Sequence, residues 1–409
     1  MNIFSGKRIV LGVTGSIAAY KSASLASYLA KSGAEVDTIL TDAALQLISP
    51  MTFSAVTGRN AYQDQDLWKQ DDHVLHIDLA EKNQAFLIAP ATANTIAKLA
   101  NGLADNLLTL TALASRTQIA VAPAMDGGMY SHPATQANLA VLRERGVHIW
   151  GPAAGHLASG LSGKGRMLEP EVLAGHLRQL LGKGGILKDK KVVVSAGGTQ
   201  EPIDPVRVIS NRSSGKQGYA IAQAALDAGA DVILISGPVN MLPPVGAQVE
   251  RVTTASEMAK AVLAETEGAD ILIMAAAVAD YRVIQPADQK IKKDQEGLQS
   301  LELERTEDIL LQVSTRRKKK SVGPDLIVGF AAETEKVLEN ARVKLENKGL
   351  DLIAANDVSR QDAGIGAEHN QVTLIWSDGR TKELGLLLKS EVASVLIKET
   401  ADLLTQTPS

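Results

Sequence analysis

Residues 211–216 (Asn-Arg-Ser-Ser-Gly-Lys) combine an amide, small polar residues and a lysine directly before an Ala-rich helical pattern. The first turn of a helix presents backbone N–H groups without internal partners, and these groups bind anions readily. The Asn211 amide can donate and accept, and Lys216 adds a mobile positive charge. This stretch is therefore a candidate site for a phosphate or a carboxylate.

The residues before this stretch indicate how it is positioned. The apolar run 192–194 is typical of a buried strand, which Gly197 and Gly198 would end, and a loop with two prolines follows. The same spacing also fits a nucleotide-binding crossover with a long loop, or no more than a capped helix. It matches neither the G-x-G-x-x-G fingerprint nor the phosphate-binding loop G-x-x-x-x-G-K-[ST].

The first half of the chain carries four polar loops, each at the predicted end of a strand. They are Gly15-Ser16-Ile17, Thr41, residues 90–95 (PATANT) and residues 123–130 (PAMDGGMY). Each loop alone could be simple turn chemistry. Because ligands of parallel sheets bind beyond the carboxyl ends of the strands, four such loops indicate a site for a phosphorylated, planar cofactor.

The composition is that of an ordinary globular protein, with 45% hydrophobic and 22% charged residues among 409. A net charge of −4 gives no general attraction to nucleic acid or to an anionic membrane. The absence of cysteine excludes disulfides, thiolate metal sites and a cysteine nucleophile. No apolar run approaches the roughly 20 residues of a membrane-spanning helix, and we expect a cytoplasmic protein that binds neither nucleic acid nor membrane.

Strands and helices alternate in both halves, which predicts two doubly wound parallel sheets with helices on both faces. The first half has predicted strands at 8–14, 35–41, 85–89 and 119–122, and helices at 17–31, 92–100 and 133–145. The second half has further strands at 231–236, 271–278, 326–330 and 352–355, helices at 218–228, 254–267 and 335–348, and a hairpin over 371–384. The basic run 316–320 is interpreted as a solvated loop, because no aromatic residues interleave with it.

The length favours two domains, and residues 181–190 are rich in glycine and lysine, as linkers are. The predicted domains are 1–184 and 185–409.

The stretch GGTQEPIDPVRVISNRSSGKQG resembles the signature loop of the phosphopantothenate–cysteine ligase domain of coenzyme A synthesis. Nearly the whole chain is similar to bifunctional bacterial proteins that fuse this ligase behind a flavin-dependent phosphopantothenoylcysteine decarboxylase. The resemblance implies an α/β protein with two Rossmann-like domains, a flavodoxin-like flavoprotein domain followed by a CTP-binding ligase domain.

For the first half, PATANT and PAMDGGMY are similar to the PASANT and PxMNxxMW motifs of flavin-binding cysteine decarboxylases. The resemblance implies that His76 is the active-site histidine, which would handle a proton near neutral pH. The residues that it implies around FMN are Gly15, Ser16, Ile17, Thr41, Ala91, Thr92 and Asn106.

Two residues of the first half depart from the family pattern. Asp126 stands where the family has an asparagine that meets the substrate carboxylate, and an ionised aspartate would repel that group unless it is protonated or turned away. Ser159 stands where the family often has a cysteine proton donor, before a G-x-G-R-M ending that this chain keeps. We expect another acid, or a water held by Ser159, to supply the proton; a changed substrate orientation is the alternative.

For the second half, AAAVADYR, QKIKK and GFAAET are similar to the nucleotide motifs of the ligase. The resemblance implies an acyl-cytidylate intermediate, with Lys290 stabilising developing charge and Asn211 holding the intermediate. Mg²⁺ is expected with the triphosphate, but no carboxylate cluster identifies its ligands. The implied CTP contacts are Ala275, Ala276, Asp280, Lys290, Asp308, Ile309, Phe330, Lys344 and Lys348.

Two features of the second half bear on these implied CTP contacts. Lys344 and Lys348 share a helix face, and the alternative for this pair is an exposed face paired with Glu339 and Glu346. Thr306-Glu307 replaces the usual Asn-Pro before Asp308.

The implied small-molecule substrates are 4′-phosphopantothenate, cysteine and CTP. The resemblance also implies a homo-oligomer with trimeric contacts in the first half and dimeric contacts in the second, as a dodecamer would have. The alternative function is an active ligase behind a flavin-binding domain with altered or lost decarboxylase activity. A non-catalytic flavoprotein that binds a partner is a third hypothesis, and His76 weighs against it.

Overall fold

The computed structural model describes residues 2–69, 74–157, 160, 162–292, 300–320, 322–358 and 366–406. It divides into two compact units, Asn2–Leu181 and Gly182–Ser409. In the part of the chain described, no helix has both the length and the apolar character that crossing a bilayer requires.

The N-terminal unit is a doubly wound α/β fold. Its strands are β1 (Arg8–Val13), β2 (Glu35–Leu40), β3 (Ala61–Tyr62), β4 (Ala85–Ala91), β5 (Ile119–Pro123), β6 (His148–Ile149), β7 (Ala153–His156) and β8 (Ser162–Arg166). Its α-helices are α1 (Ala19–Lys31), α2 (Asp42–Leu45), α3 (Pro50–Thr57), α4 (Leu75–Lys82), α5 (Ala93–Asn101), α6 (Leu107–Ala114), α7 (Gly127–Ser131), α8 (Pro133–Glu144) and α9 (Pro170–Gly182), with a 3₁₀ helix at Asp64–Trp68.

The main sheet of this unit is parallel, in the order β3-β2-β1-β4-β5-β6. Without the two-residue β3, the strands follow the order 2-1-3-4-5 of flavodoxin-like folds. Alternate residues of β1 enter cores on opposite faces of the sheet: Ile9 and Leu11 pack with α1 and α9, whereas Val10 packs with α5 and α6. Burial on both faces explains why these strands read as continuous apolar runs.

The C-terminal unit has the same design with two added antiparallel strands. Its strands are β9 (Lys191–Ala196), β10 (Gln200–Pro202), β11 (Val208–Ser210), β12 (Asp231–Ser236), β13 (Gln248–Arg251), β14 (Ile271–Met274), β15 (Tyr281–Val283), β16 (Leu303–Arg305), β17 (Leu326–Glu333), β18 (Leu352–Asp357), β19 (His369–Trp376) and β20 (Thr381–Leu388). Its helices are α10 (Lys216–Asp227), α11 (Ala255–Glu265), α12 (Ile309–Lys320), α13 (Val337–Lys348) and α14 (Lys389–Gln406).

The main sheet of the C-terminal unit runs β13-β12-β9-β14-β17-β18-β19-β20, parallel as far as β18. Val192 and Val194 pack with α10 and α14 on one face, and Val193 packs with α11 and α13 on the other. The prediction of two doubly wound sheets is confirmed, including the β19–β20 hairpin and the Thr254 capping box of α11.

Two local predictions are wrong. The strand expected over 271–278 ends at Met274, because the hydroxyls of Ser195 and Thr199 accept from the N–H groups of Ala276 and Ala279 where a regular ladder would continue. The basic run 316–320 is the last part of α12, not a loop. Val313 is buried on that helix, and the Arg317 guanidinium pairs with Asp351 at 2.6 Å.

Candidate active sites

Thr14 joins the ends of two neighbouring strands in the N-terminal unit. Its hydroxyl donates to the carbonyl of Pro90 at 2.7 Å and accepts from the Thr92 N–H at 3.0 Å. The Ser22 hydroxyl of α1 adds a bond to the Ala89 carbonyl at 2.6 Å. These bonds bring the predicted loops 15–17 and 90–95 to the same edge of the sheet, at the carboxyl ends of β1 and β4.

A close approach at Gly15 sets the shape of this edge. A Cβ at Gly15 would lie 2.4 Å from the Cβ of Ala43 in α2, so a larger residue cannot be accommodated without movement. Thr41 caps the same helix by accepting from the Ala44 N–H at 3.4 Å. Glycine therefore lets the β1–α1 turn lie against the start of α2.

The other predicted FMN contacts also lie at strand ends or helix starts. Ala91 is the buried last residue of β4, and Thr92 caps α5 by accepting from the Thr95 N–H at 3.3 Å. Asn106 caps α6, where its side-chain oxygen accepts from the Thr109 N–H at 2.9 Å. Capping fixes the orientation of each side chain, and the helix starts provide positive dipole ends.

A cavity of about 510 Å³ opens beside the β1–α1 turn. Ser16 and Ile17 line it, and Ile17 keeps 65% of its surface exposed. The other predicted FMN contacts are not among the described residues that line it: Gly15, Thr41, Ala91, Thr92 and Asn106. The cavity is bounded by residues 16–18, 20–21, 124–126, 156–157 and 165–167.

The β7–β8 hairpin forms one wall of this cavity and packs against the PAMDGGMY loop. The Met125 N–H donates to the Gly165 carbonyl at 3.0 Å, and a Cβ at Gly165 would lie 2.1 Å from the Met125 oxygen. Asp126 caps α7, and its Oδ1 accepts from the Gly128 N–H at 2.9 Å. Asp126 also lines a neighbouring cavity of about 500 Å³. Ser159 lies outside the described residues.

Two cations at this wall escaped the sequence analysis. Lys21 is only 6% exposed; its Nζ donates to the Met167 carbonyl at 3.3 Å and pairs with Glu169 at 2.9 Å. Arg166 pairs with the same carboxylate at 2.8 Å. The hydrogen bond from Lys21, followed by its charge, holds the pKa of Glu169 below the usual value. A lysine inside a helical pattern gives no signal of such a contact.

His76 is not among the described residues that line either cavity. It lies in the first turn of α4, a helix that packs against α6. Its Nδ1 is buried and has no hydrogen-bond partner among the described residues. The structure therefore does not bring His76 to the cavity formed by Ser16, Ile17 and Asp126.

In the C-terminal unit, the signature loop is tied to the loop that follows β14. The Asn211 Nδ2 donates to the Val278 carbonyl at 2.9 Å. The buried Thr199 accepts from the Ala279 N–H at 2.9 Å, and the Ser210 hydroxyl donates to the Thr199 carbonyl at 2.7 Å. The ends of β9 and β14 are thus held together at the carboxyl edge, where this fold class binds ligands.

A smaller cavity, of about 160 Å³, lies at this edge beside the start of α10. It brings the predicted residues Ala275, Ala276 and Phe330 together with Lys216. Residues 212–218, 275–277, 330–332, 356, 358, 366, 370 and 389 line it. Asp280, Lys290, Asp308, Ile309, Lys344 and Lys348 are not among the described residues that do so.

An unpredicted buried carboxylate anchors the segment that carries Lys290. Asp204 is 3% exposed and accepts from the backbone N–H groups of Val206 and Arg207 at 2.8 Å and of Ile291 at 3.2 Å. The Arg207 guanidinium bonds to Asp204 and also to the Ile291 carbonyl at 2.9 Å. The hydrogen bond from Arg207 is the main cause that holds the pKa of Asp204 well below its usual range. Lys290 itself is exposed.

The lysines of α13 reach the ends of neighbouring elements. Lys344 pairs with Glu333, the last residue of β17, at 2.5 Å, and Lys348 pairs with Asp308 before α12 at 3.1 Å. Among the described residues neither lysine makes the ion pair with Glu339 or Glu346 that the alternative predicted, and Glu339 pairs with Lys336 instead. Lys348 therefore lies beside Asp308, and the buried Ile309 is the next residue of the chain.

Thr306, which differs from the family pattern, is hydrogen-bonded to the loop after β14. The Thr306 hydroxyl donates to the Ala279 carbonyl at 2.6 Å, and its N–H donates to the Asp280 carbonyl at 3.0 Å. Within the described part of the chain, no group of three or more His, Asp or Glu side chains is arranged to hold a metal ion.

Two family models together match nearly the whole chain. The model "Flavoprotein" matches residues 4–182, and "DNA/pantothenate metabolism flavoprotein C-terminal domain" matches residues 187–404. The latter covers more than half of the chain. The class is thus a flavoprotein domain joined to the C-terminal domain of pantothenate-metabolism flavoproteins.

Two full-length relatives identify the family. The chain is 43% identical over 408 residues to the coenzyme A biosynthesis bifunctional protein CoaBC of Bacillus subtilis, with 99% of each chain covered. It is 44% identical to the protein of that name from Vibrio vulnificus, with 98% of each covered. A crystal structure of the C-terminal domain of such a protein, 39% identical, covers 55% of this chain and 100% of its own, with a TM-score of 0.46. The chain belongs to the family of bifunctional coenzyme A biosynthesis proteins.

Proposed function

We propose that this chain catalyses two consecutive steps of coenzyme A synthesis, with decarboxylation in residues 1–184 and ligation in residues 185–409. The ligase joins 4′-phosphopantothenate to cysteine with CTP, and the decarboxylase converts the product to 4′-phosphopantetheine with FMN. The two activities follow from the full-length relationship to bifunctional relatives. The assignment of one activity to each unit is supported by a cavity at the strand-end edge of each sheet.

The residues of the N-terminal unit fit a flavin phosphate. The close approach of Ala43 leaves no room for a side chain at Gly15, so the backbone of this turn stays uncovered. Ser16 and Ile17 line a cavity that is large enough for part of a cofactor. FMN would be held by Gly15, Ser16, Ile17, Thr41, Ala91, Thr92 and Asn106. When bound, it supplies the electron acceptor and donor that let the carboxylate of the cysteine moiety leave as CO2.

His76 is proposed as the group that moves a proton during decarboxylation. Among the described residues, its Nδ1 has no hydrogen-bond partner and it does not line the cavity of its own unit, which supports a site completed by a second copy of the chain. We therefore propose homo-oligomerisation, with trimeric contacts between N-terminal units and dimeric contacts between C-terminal units.

Asp126 is proposed to face the substrate carboxylate with one oxygen already engaged. Its Oδ1 caps α7, as an asparagine oxygen would, so the difference from the family pattern lies in the second oxygen. That oxygen must be protonated or turned away when a carboxylate binds. For Ser159, replacement by cysteine is the test: a gain of normal thiol product in Ser159→Cys would show that proton delivery limits the native enzyme.

In the ligase reaction, a carboxylate oxygen of 4′-phosphopantothenate attacks the α-phosphorus of CTP, and pyrophosphate leaves. The cysteine amine then attacks the carbonyl of the acyl-cytidylate, and CMP leaves. Lys290 is proposed to stabilise the charge that develops in the first step, and Asn211 to hold the intermediate. The Asp204 anchor supports this role, because it fixes the backbone next to Lys290 while the lysine side chain stays exposed.

CTP is proposed to contact Ala275, Ala276, Asp280, Asp308, Ile309, Phe330, Lys344 and Lys348 as well. Mg²⁺ is proposed to enter with the triphosphate. Lys344 and Lys348 would exchange Glu333 and Asp308 for phosphate oxygens. Because CTP and free cysteine are metabolites of the cytoplasm, the enzyme is proposed to work there.

The test is a coupled assay on the purified chain with 4′-phosphopantothenate, cysteine and CTP, after FMN loading. The proposal requires release of both pyrophosphate and CO2. Pyrophosphate without CO2 would favour the alternative, a ligase behind an altered flavin domain. Neither product, from a protein that still binds FMN, would favour a non-catalytic flavoprotein.

A further inference from the structure

Lys389 is a buried lysine at the cavity of the C-terminal unit. It is the first residue of α14, and only 8% of it is exposed. Its Nζ donates to the Ala367 carbonyl, and it has no ion-pair partner among the described residues. A buried ammonium group that makes no direct ion pair is costly, and a neutral side chain could bond to one carbonyl at lower cost.

A second lysine lies at the same cavity, on the first turn of α10. The Lys216 Nζ donates to the Gly366 carbonyl at 3.2 Å and pairs with Glu368, whose side chain is 71% exposed. Both lysines therefore bind neighbouring carbonyls of residues 366–367. Burial, followed by the charge of Lys216, lowers the pKa of Lys389, and the charge of Glu368 offsets part of this shift. Two cations are thus held near each other although they repel.

A hydrogen-bond network fixes this arrangement. The Gln217 Nε2 donates to the Lys389 carbonyl at 3.1 Å, and the Asn370 Nδ2 donates to the Gln217 Oε1 at 2.8 Å. These bonds connect the starts of α10 and α14, whose helices pack together. The positive ends of two helix dipoles and two lysines therefore converge on one cavity.

We propose that Lys389 and Lys216 form a phosphate subsite of the ligase, in which Lys389 is a specificity residue that contacts a phosphate group of a reactant. The phosphate is either the 4′-phosphate of the acid substrate or part of the CTP triphosphate. An anion would satisfy the buried ammonium and relieve its repulsion from Lys216. This inference rests on the proposed ligase function.

The first experiment compares Lys389→Met with Lys398→Met, a control at an exposed position of the same helix. In the pyrophosphate-release assay, the KM for one reactant should rise about 10- to 100-fold in Lys389→Met, and remain unchanged in the control. If Lys389→Met raises the KM for 4′-phosphopantothenate but does not change the KM for unphosphorylated pantothenate, the bound group is the 4′-phosphate. A rise for CTP alone identifies the nucleotide.

Glu368→Gln tests the subsite without altering the core. Removing the competing carboxylate should lower the inhibition constant of inorganic phosphate about 2- to 5-fold. The proposal is overturned if folded Lys389→Met keeps both KM values within twofold. If that variant does not fold, an unchanged or higher inhibition constant in Glu368→Gln overturns it. Absence of CTP-dependent pyrophosphate release by the wild type would instead contradict the proposed function.

Discussion

The two units use the same edge of the same kind of sheet, but they arrange charge differently there. In the N-terminal unit, Lys21 and Arg166 share the carboxylate of Glu169, and small residues and capped helix starts form the rest of the site. In the C-terminal unit, Lys389 is buried and makes no ion pair among the described residues, because Glu368 pairs with the neighbouring Lys216 instead, and Lys344 and Lys348 have one partner each. Neutral N–H groups suit the resident flavin, whereas exchangeable lysine pairs suit the triphosphate that we propose enters and leaves in each turnover. Similar scaffolds thus carry different chemistry through their loops.

The largest expected difference between the two units concerns His76. His76→Asn should lower CO2 release about 10²- to 10⁴-fold, because a general acid–base group contributes that much, and should leave pyrophosphate release unchanged. His132→Asn is the control, since His132 caps α8 and asparagine can keep a cap. Normal CO2 release by a folded His76→Asn enzyme would remove His76 from the mechanism.

Lys290→Gln is the corresponding change in the C-terminal unit, and it should affect pyrophosphate release instead of CO2 release. Loss of a group that stabilises developing charge should lower pyrophosphate release about 10²- to 10³-fold. The exposed Lys260→Gln variant in α11 should behave as wild type. A Lys290→Gln rate within fivefold of wild type would show that other groups stabilise the first step.

A steric change at Gly15 tests how the N-terminal site holds FMN. Gly15→Val forces a side chain against Ala43, and overpacking of this kind costs about 1–3 kcal/mol. FMN affinity, measured from flavin absorbance after titration, should fall about 10- to 100-fold. Gly184→Val is the control, because no atom lies within 4 Å of a Cβ built there. Equal flavin content in both variants would contradict the role of Gly15 in holding FMN.

The smallest expected effect concerns stability and pH. The pKa of Asp204 is depressed in the folded state, so its contribution is complete above the unfolded pKa and is lost as the pH falls toward the folded value. Asp204→Asn should therefore lower the Tm at pH 7, and the difference from wild type should shrink as the pH falls below about 4. The exposed Asp402→Asn should show no such difference. A difference between Asp204→Asn and wild type that does not depend on pH would assign Asp204 a purely steric role.

The sequence predicts the sheets and their strand-end loops well, because buried strands and amphipathic helices leave strong local patterns. The capping box at Thr254 and the strand at 231–236 are examples, since each depends on residues only a few positions apart. The motif resemblance identifies Asn211 and Lys290 by type, but it does not reveal what positions them.

Contacts between distant segments could not be predicted in this way. Asp204 binds the Ile291 N–H across 87 residues, and Lys216 pairs with Glu368 across 152. Lys389 sits at the start of an ordinary amphipathic helix and gives no local signal that it faces a cavity. The early end of β14 also depends on hydroxyls from another segment, Ser195 and Thr199.

The most direct test of two separate sites on one chain is to supply 4′-phosphopantothenoylcysteine to the FMN-loaded Lys290→Gln enzyme. We expect this enzyme to release CO2 at the wild-type rate without CTP. When the ligase substrates are supplied instead, its pyrophosphate release should be reduced about 10²- to 10³-fold. Loss of CO2 release from the supplied intermediate, in a folded and flavin-loaded protein, would contradict the assignment of the two reactions to separate units.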